Sequence, residues 1–274
     1  MAPGRAGLAL LALGAALLGA VAGARAQAYP DVRPVPKTTD PAALRATATA
    51  REIHERFHIG LAAMTRSDWP AAQAEFARVL DLHPPEPMGS TAHYDLGIVD
   101  VNQHDYTAAR TEFAAAIKLD DGFIAARANL VTVELKAGDL PAARKSAAEL
   151  LARAPGSARG LYLDGLAALQ AGDAASAVRA FGTMLSHDPS YATAHYDLAL
   201  AEIQLGRMDE AERELQAALT LAPAYERARF ALGTVLLKTG RRDEARTAFE
   251  QVARSAQDPE LQSLAASMKD ALSH

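Results

Sequence analysis

Six alanines, Ala72, Ala109, Ala143, Ala177, Ala211 and Ala245, recur every 34 residues, with one step of 37. Alanine is so common in this chain that one such row could arise by chance, so the neighbouring rows decide. Four residues beyond each alanine stand Phe76, Phe113, Ala147, Phe181, Leu215 and Phe249, mostly bulky. Twelve before each stand Gly60, Gly97, Val131, Gly165, Ala199 and Gly233, mostly small. Twelve after, proline recurs at Pro84, Pro155, Pro189 and Pro223, with Asp121 and Gln257 in the other copies. Several rows sharing one beat mean a single supersecondary unit, copied and stacked so that each copy buries the apolar face of the next. A stack of this kind offers a surface for holding something rather than a machine for making or breaking bonds.

Residues 158–191 show what the unit is. Leu161, Gly165, Ala168 and Leu169 recur at helical spacing, and Ala171-Gly172-Asp173 interrupts them. Gly172 suits the left-handed conformation that ends a helix, and Asp173 suits the cap of the next. A second apolar stripe, Ala177, Phe181, Met184 and Leu185, runs until Pro189 stops it. Each unit is therefore expected to be a helix–turn–helix hairpin. Gly165 and Ala177 let its helices approach, and Phe181 is expected to fill the seam between units.

The order large-x2-Leu-Gly-x2-large, then Ala-x3-Phe, then Pro resembles the tetratricopeptide repeat family. The match is close in AHYDLALAEIQLGRMDEAERELQAALTLAPAY (194–225) and RFALGTVLLKTGRRDEARTAFEQV (229–252). The resemblance covers six units, 53–86, 90–123, 124–157, 158–191, 192–225 and 226–259, with Pro87-Met88-Gly89 inserted after the first. It implies an all-α, right-handed superhelical solenoid of exported bacterial type. Departures are local. Ser67 and His104 replace the turn glycine, Leu163 and Asp164 are exchanged, and the last proline slips to Pro259. Val131 and Ala147 replace the glycine and phenylalanine of the third unit, which predicts looser packing there.

The ends differ from the repeats. Arg5, an apolar run from Leu8 to Val21 and Ala24-Arg25-Ala26 have the build of a secretory signal peptide over 1–26, cleaved after Ala26. That predicts an exported chain, periplasmic or otherwise extracytoplasmic, touching the membrane only through this leader; a retained anchor is the alternative. Residues 27–40 carry Pro30, Pro34 and Pro36 and read as an extended tether, and Asp40-Pro41 starts a helical lead-in over 41–52. At the other end Leu261, Leu264, Ala265, Met268 and Leu272 form one stripe of a capping helix over 260–274. Without the leader the chain has 26 basic against 33 acidic residues, which argues against nucleic acid as a partner. With no cysteine, disulfides, thiolate metal sites and a cysteine nucleophile are excluded.

Two constellations test the non-enzymatic reading. His54-Glu55-Arg56-Phe57-His58 satisfies H-E-x-x-H, the helical zinc motif of metallopeptidases. A catalytic zinc also needs a third protein ligand and a cleft, and only a tether and a short helix precede this stretch. The near-identical heptapeptides TAHYDLG (91–97) and TAHYDLA (193–199) carry His, Tyr and Asp, but neither has a serine or cysteine nucleophile beside it. A glycine-rich phosphate loop is also missing from the sequence. The expectation is a non-catalytic scaffold or adaptor of the cell envelope with no cofactor, no metal and no small-molecule substrate. A self-associating scaffold is the alternative, and a zinc peptidase using His54, Glu55 and His58 ranks below it.

The family resemblance implies that the first helix of each unit lines a concave groove holding a peptide or helix of a partner. At the fifth position of each unit this chain has Phe57, Tyr94, Ala128, Tyr162, Tyr196 and Phe230. Beside them lie Leu61, Ile98, Thr132, Leu166, Leu200 and Thr234, fringed by Asn102, Lys136, Arg159, Gln170, Gln204, Arg227 and Lys238. Rings with a polar fringe are the composition that protein contacts favour. The groove reading therefore expects these rings to be exposed; the competing reading packs them between helices. The lysine–asparagine clamp for terminal carboxylates found in some members does not carry over, because Phe57 and Leu61 occupy its places.

Overall fold

A computed structural model describes residues 41–272, and every regular element in it is a helix. The leader and tether expected over 1–40, and the last two residues, lie outside the described part. The chain divides after Arg153 into two compact units. The first holds α1 (Pro41–Thr65), α2 (Trp69–Asp81), α3 (Met88–Asn102), α4 (Tyr106–Leu119), α5 (Ile124–Ala137) and α6 (Leu140–Arg153). The second holds α7 (Ala158–Gln170), α8 (Ala174–His187), α9 (Ala192–Gln204), α10 (Met208–Leu221), α11 (Glu226–Lys238), α12 (Arg242–Ser255) and α13 (Pro259–Ala271). Within each compact unit every helix packs on its successor, and in the second the first helices α7, α9 and α11 also touch one another. The lead-in and the first helix of the first repeat are one continuous rod, α1. Among the described residues no helix is long and apolar enough to cross a membrane.

The turn inside each hairpin is written at two adjacent positions. The first must take a left-handed backbone, and Gly138, Gly172, Gly206 and Gly240 do so with φ between 75° and 83°. Ser67 and His104 adopt the same conformation at φ 58° and 63°, where a β-carbon is crowded. The next position caps the second helix. The carboxylates of Asp68, Asp105, Asp139 and Asp173 accept from the backbone N–H three residues on, at 2.9–3.3 Å. Arg207 and Arg241 stand there in the last two repeats and make no side-chain cap. Acidic residues in the first turn of their helices, Asp209 and Glu210 or Asp243 and Glu244, complement the helix dipole instead.

The packing inside a hairpin explains the small-to-bulky beat. A β-carbon on Gly60, Gly97, Gly165 or Gly233 would lie 2.5–2.8 Å from the ring of Phe76, Phe113, Phe181 or Phe249 respectively. Each ring therefore lies flush against a bare backbone in its own hairpin. Phe181 thus packs on its own repeat's glycine, a correction to its expected place in the seam between units. In the third repeat Val131 and Ala147 are both fully buried, with the bulky side chain on the first helix and the small one on the second, the reverse of the glycine–phenylalanine repeats. In α13 the apolar stripe is narrower than expected. Ala265 is sealed and Leu261, Met268 and Leu272 pack on the last repeat, whereas Leu264 is 51% exposed.

Candidate functional site on the first helices

The row expected to line a groove behaves differently in the two compact units. In the first, Phe57, Tyr94 and Ala128 are each only 2% exposed, and Leu61 and Ile98 are buried with them. Expected exposure of Phe57, Tyr94 and Ile98 is therefore corrected: they belong to the core. Both rings face the phenylalanine 19 residues later, across the hairpin. Phe57 meets Phe76 edge-on at 5.5 Å between centroids, and Tyr94 meets Phe113 at 5.7 Å. Phe123, at the end of the same repeat, then stacks on the other side of Tyr94 at 4.8 Å. Lys136 lies in this compact unit too, its ammonium 5.9 Å from the Tyr106 ring centroid, a distance that suits cation–π attraction.

In the second compact unit the row stays open. Tyr162, Leu166, Tyr196, Leu200, Phe230 and Thr234 are all half-buried. One side of each ring still serves the hairpin, with Tyr162 against Phe181 at 5.8 Å and Phe230 against Phe249 at 5.2 Å. The contact of α7 with α9 and of α9 with α11 makes these positions one continuous strip. Arg159 and Arg227 are half-buried beside it and Lys238 is exposed. Of the residues proposed from sequence, the structure thus gathers Tyr162, Leu166, Tyr196, Leu200, Phe230, Arg159, Arg227 and Lys238 in one compact unit.

Sequence reasoning missed the polar centre of that strip. Asp197, next to Tyr196, is 4% exposed, and its Oδ2 accepts a 2.7 Å hydrogen bond from the Tyr162 hydroxyl of the preceding repeat. Burial pushes the Asp197 carboxyl up to about 7, and the Tyr162 bond only partly offsets it. Burial, and then the Asp197 charge, raise the phenols of Tyr196 and Tyr225 above their ordinary value. Tyr225, at the start of α11, meets Tyr196 at 5.1 Å between centroids. A signal was present in the sequence, since aspartate follows tyrosine in both heptapeptides, but nothing there said that the carboxylate faces inward.

The other constellations resolve into structure. His93 Nδ1 lies 2.7 Å from a Glu112 carboxylate oxygen, and His195 Nδ1 lies 2.6 Å from one of Glu214. Arg56 bonds Glu75 at 3.1 Å, so three repeats tie their two helices together through an arginine or histidine and a glutamate 19 residues apart. The heptapeptide histidines are hairpin ties, and His195 Nε2 further donates to the Pro189 carbonyl at 3.0 Å. In H-E-x-x-H, Glu55 and His58 are exposed and His54 half-buried on α1, while Arg56 between them is held by Glu52 and Glu75. Among the described residues no group of three or more histidines, aspartates or glutamates is placed to hold a metal ion.

Two models of the tetratricopeptide repeat match the chain, one over residues 57–122, 94–158 and 128–182, the other over 168–220 and 213–268. The chain belongs to the tetratricopeptide repeat family. Solved structures agree on the fold. A thermophilic tetratricopeptide repeat protein of Thermus thermophilus is 26% identical, covering 65% of this chain and 98% of its own, with a TM-score of 0.54. MamA of Desulfovibrio magneticus is 21% identical, with coverage of 64% and 97% and a TM-score of 0.59. The pilF protein of Pseudomonas aeruginosa is 16% identical, with coverage of 79% and 97% and a TM-score of 0.64. No functionally curated protein matches the chain in sequence. Membership in the tetratricopeptide repeat family makes the chain a scaffold for protein–protein interaction.

Proposed function

We propose that this tetratricopeptide repeat protein is a non-catalytic adaptor, exported to the cell envelope, that holds a segment of a partner protein on the first helices of its second compact unit. The observation that carries the reading is the contrast in the fifth-position row: sealed at Phe57 and Tyr94, open at Tyr162, Tyr196 and Phe230. Rings that are already rigid on one edge lose little conformational freedom when a partner covers the other, which favours them as contact anchors. The export half of the proposal rests on the sequence of residues 1–26. Recognition would bury partner side chains among these rings and between Leu166 and Leu200, with no bond made or broken.

The test uses Leu166→Glu with Leu200→Glu, half-buried positions that place charge on the strip and leave the ring pairs alone. Crosslinking in the native host, followed by mass spectrometry, should recover a partner with the wild-type chain and lose it with the double variant. The helix content and melting of the two should agree. Undiminished capture by the double variant would sink the proposal.

A further inference from the structure

The two heptapeptides give the fold an internal control. With the buried Asp95 of the first, the corresponding repeat positions carry Phe57, Tyr94 and Phe123; with the buried Asp197 of the second, they carry Tyr162, Tyr196 and Tyr225. Packing alone is thus met by phenylalanine at the first and third of these places. The second site nevertheless carries hydroxyls there, and all three of its rings are half-buried rather than closed off. Its carboxylate is also poorly balanced. Asp197 has one partner among the described residues, the neutral Tyr162 hydroxyl on Oδ2, and no cation figures among the groups that act on it. A buried carboxylate without a counter-charge is costly, and cations are attracted both to it and to the faces of phenol rings.

We propose that Tyr162, Tyr196, Tyr225 and Asp197 form a receptor for a cationic side chain, the guanidinium or ammonium of an arginine or lysine carried by the bound segment. This deepens the adaptor reading and rests on it. Burial alone keeps the Asp197 carboxyl near neutrality, so an arriving cation replaces a proton and stabilises the ionised form. Arg227 acts from α11 on Tyr196 and Tyr225, so the guest settles toward Tyr162, away from that like charge. Tyr162 then donates to Asp197 while presenting its ring to the guest. The position is one where a partner is read for charge, set in a strip that otherwise reads for apolar shape.

Acetyl-arginine amide and its near-isosteric, uncharged counterpart acetyl-citrulline amide are titrated into the full chain carrying isotope-labelled tyrosine, at about pH 8 so that Asp197 is mostly ionised. The arginine probe should shift the Tyr162, Tyr196 and Tyr225 resonances to saturation, and citrulline should bind about tenfold more weakly or worse. Asp197→Asn should erase the difference between the probes. Equal binding of the two probes, or shifts confined to other tyrosines, would overturn the inference even if the variant failed to fold. The outcome is separable from the adaptor reading: loss of capture by Leu166→Glu with Leu200→Glu, alongside equal binding of the two probes, leaves an adaptor that does not read charge.

Discussion

The two compact units contain nearly the same heptapeptide and use it in opposite ways. In TAHYDLG the tyrosine is pinned between Phe113 and Phe123 and lost to solvent; in TAHYDLA it faces Tyr225 and Leu215 and stays half open. The repeat fixes where the side chain starts, and its tertiary neighbours together decide whether it is sealed. Phe113 and Phe123 enclose the ring of the first copy, whereas Tyr162 and Phe230, which also face a phenylalanine 19 positions on, stay half open. The contrast warns against carrying a family's binding row across all copies, because one position is core in one repeat and surface in another.

The largest expected effect follows directly. Tyr94→Ala should cost about 3–5 kcal/mol, the usual range for deleting a buried ring and leaving a cavity. Tyr196→Ala, which gives up a ring already half in water, should cost only about 1–2 kcal/mol. Denaturant unfolding of the two variants checks this. Equal losses would mean that the rings of the second compact unit are core as well, and the open strip would go with them.

Protonation offers a second way to sharpen the comparison, with a smaller effect. Each compact unit buries an acid. Asp100 is pushed up to about 6, first by burial and then by Glu112 and Asp105, and Asp197 is pushed up to about 7 by burial. The sign follows from linkage. A carboxyl whose folded pKa exceeds its unfolded value binds protons more tightly when folded, so its contribution is fully present below the unfolded pKa and is lost as pH rises through the folded one. Asp100 should therefore weaken the first compact unit as pH climbs from about 4 to about 6, and Asp197 the second from about 4 to about 7. Relative to the wild type, Asp197→Asn should flatten the stability–pH curve up to about 7 and Asp100→Asn only up to about 6. Unfolding midpoints across that range provide the measurement. Identical slopes in wild type and Asp197→Asn would show that the carboxylate is solvated after all.

How much of this was legible beforehand follows from what repeats can encode. The hairpins were readable because helix spacing, turn glycines and capping aspartates are local, and six copies average out accidents. The exchange of Val131 and Ala147 was visible as a departure, but that both stay fully buried was not. A sequence displays two anomalies 16 residues apart without showing what either packs against. The fate of the fifth-position rings was illegible for a related reason. Exposure at Tyr94 depends on Phe113 and Phe123 together, and exposure at Tyr196 on Leu215 and Tyr225. These are tertiary neighbours whose sizes matter only once the hairpin has closed. Asp197 lies at the same limit: beside an exposed-looking tyrosine it reads as a surface acid, and its hydrogen-bond partner is a hydroxyl of the previous repeat, 35 residues back.

The smallest expected effect comes from the turns, where the compact units differ again. All three hairpin turns of the second use glycine at the left-handed position, whereas the first uses Ser67, His104 and Gly138. A side chain there costs roughly 1–2 kcal/mol per residue, and glycine returns part of that gain through the greater freedom of its unfolded chain. Ser67→Gly and His104→Gly should therefore each stabilise the first compact unit by somewhat under about 1 kcal/mol. The reverse change, Gly206→Ser, should destabilise the second by a similar amount. His104→Gly also removes the edge-on contact of His104 with Tyr106, 6.3 Å between centroids, so its gain should be smaller than that of Ser67→Gly. Thermal melts of the single variants would resolve the order. A loss on Ser67→Gly would mean that this turn is stabilised by its own side chain, and the two compact units would then differ in turn chemistry as well as in strain.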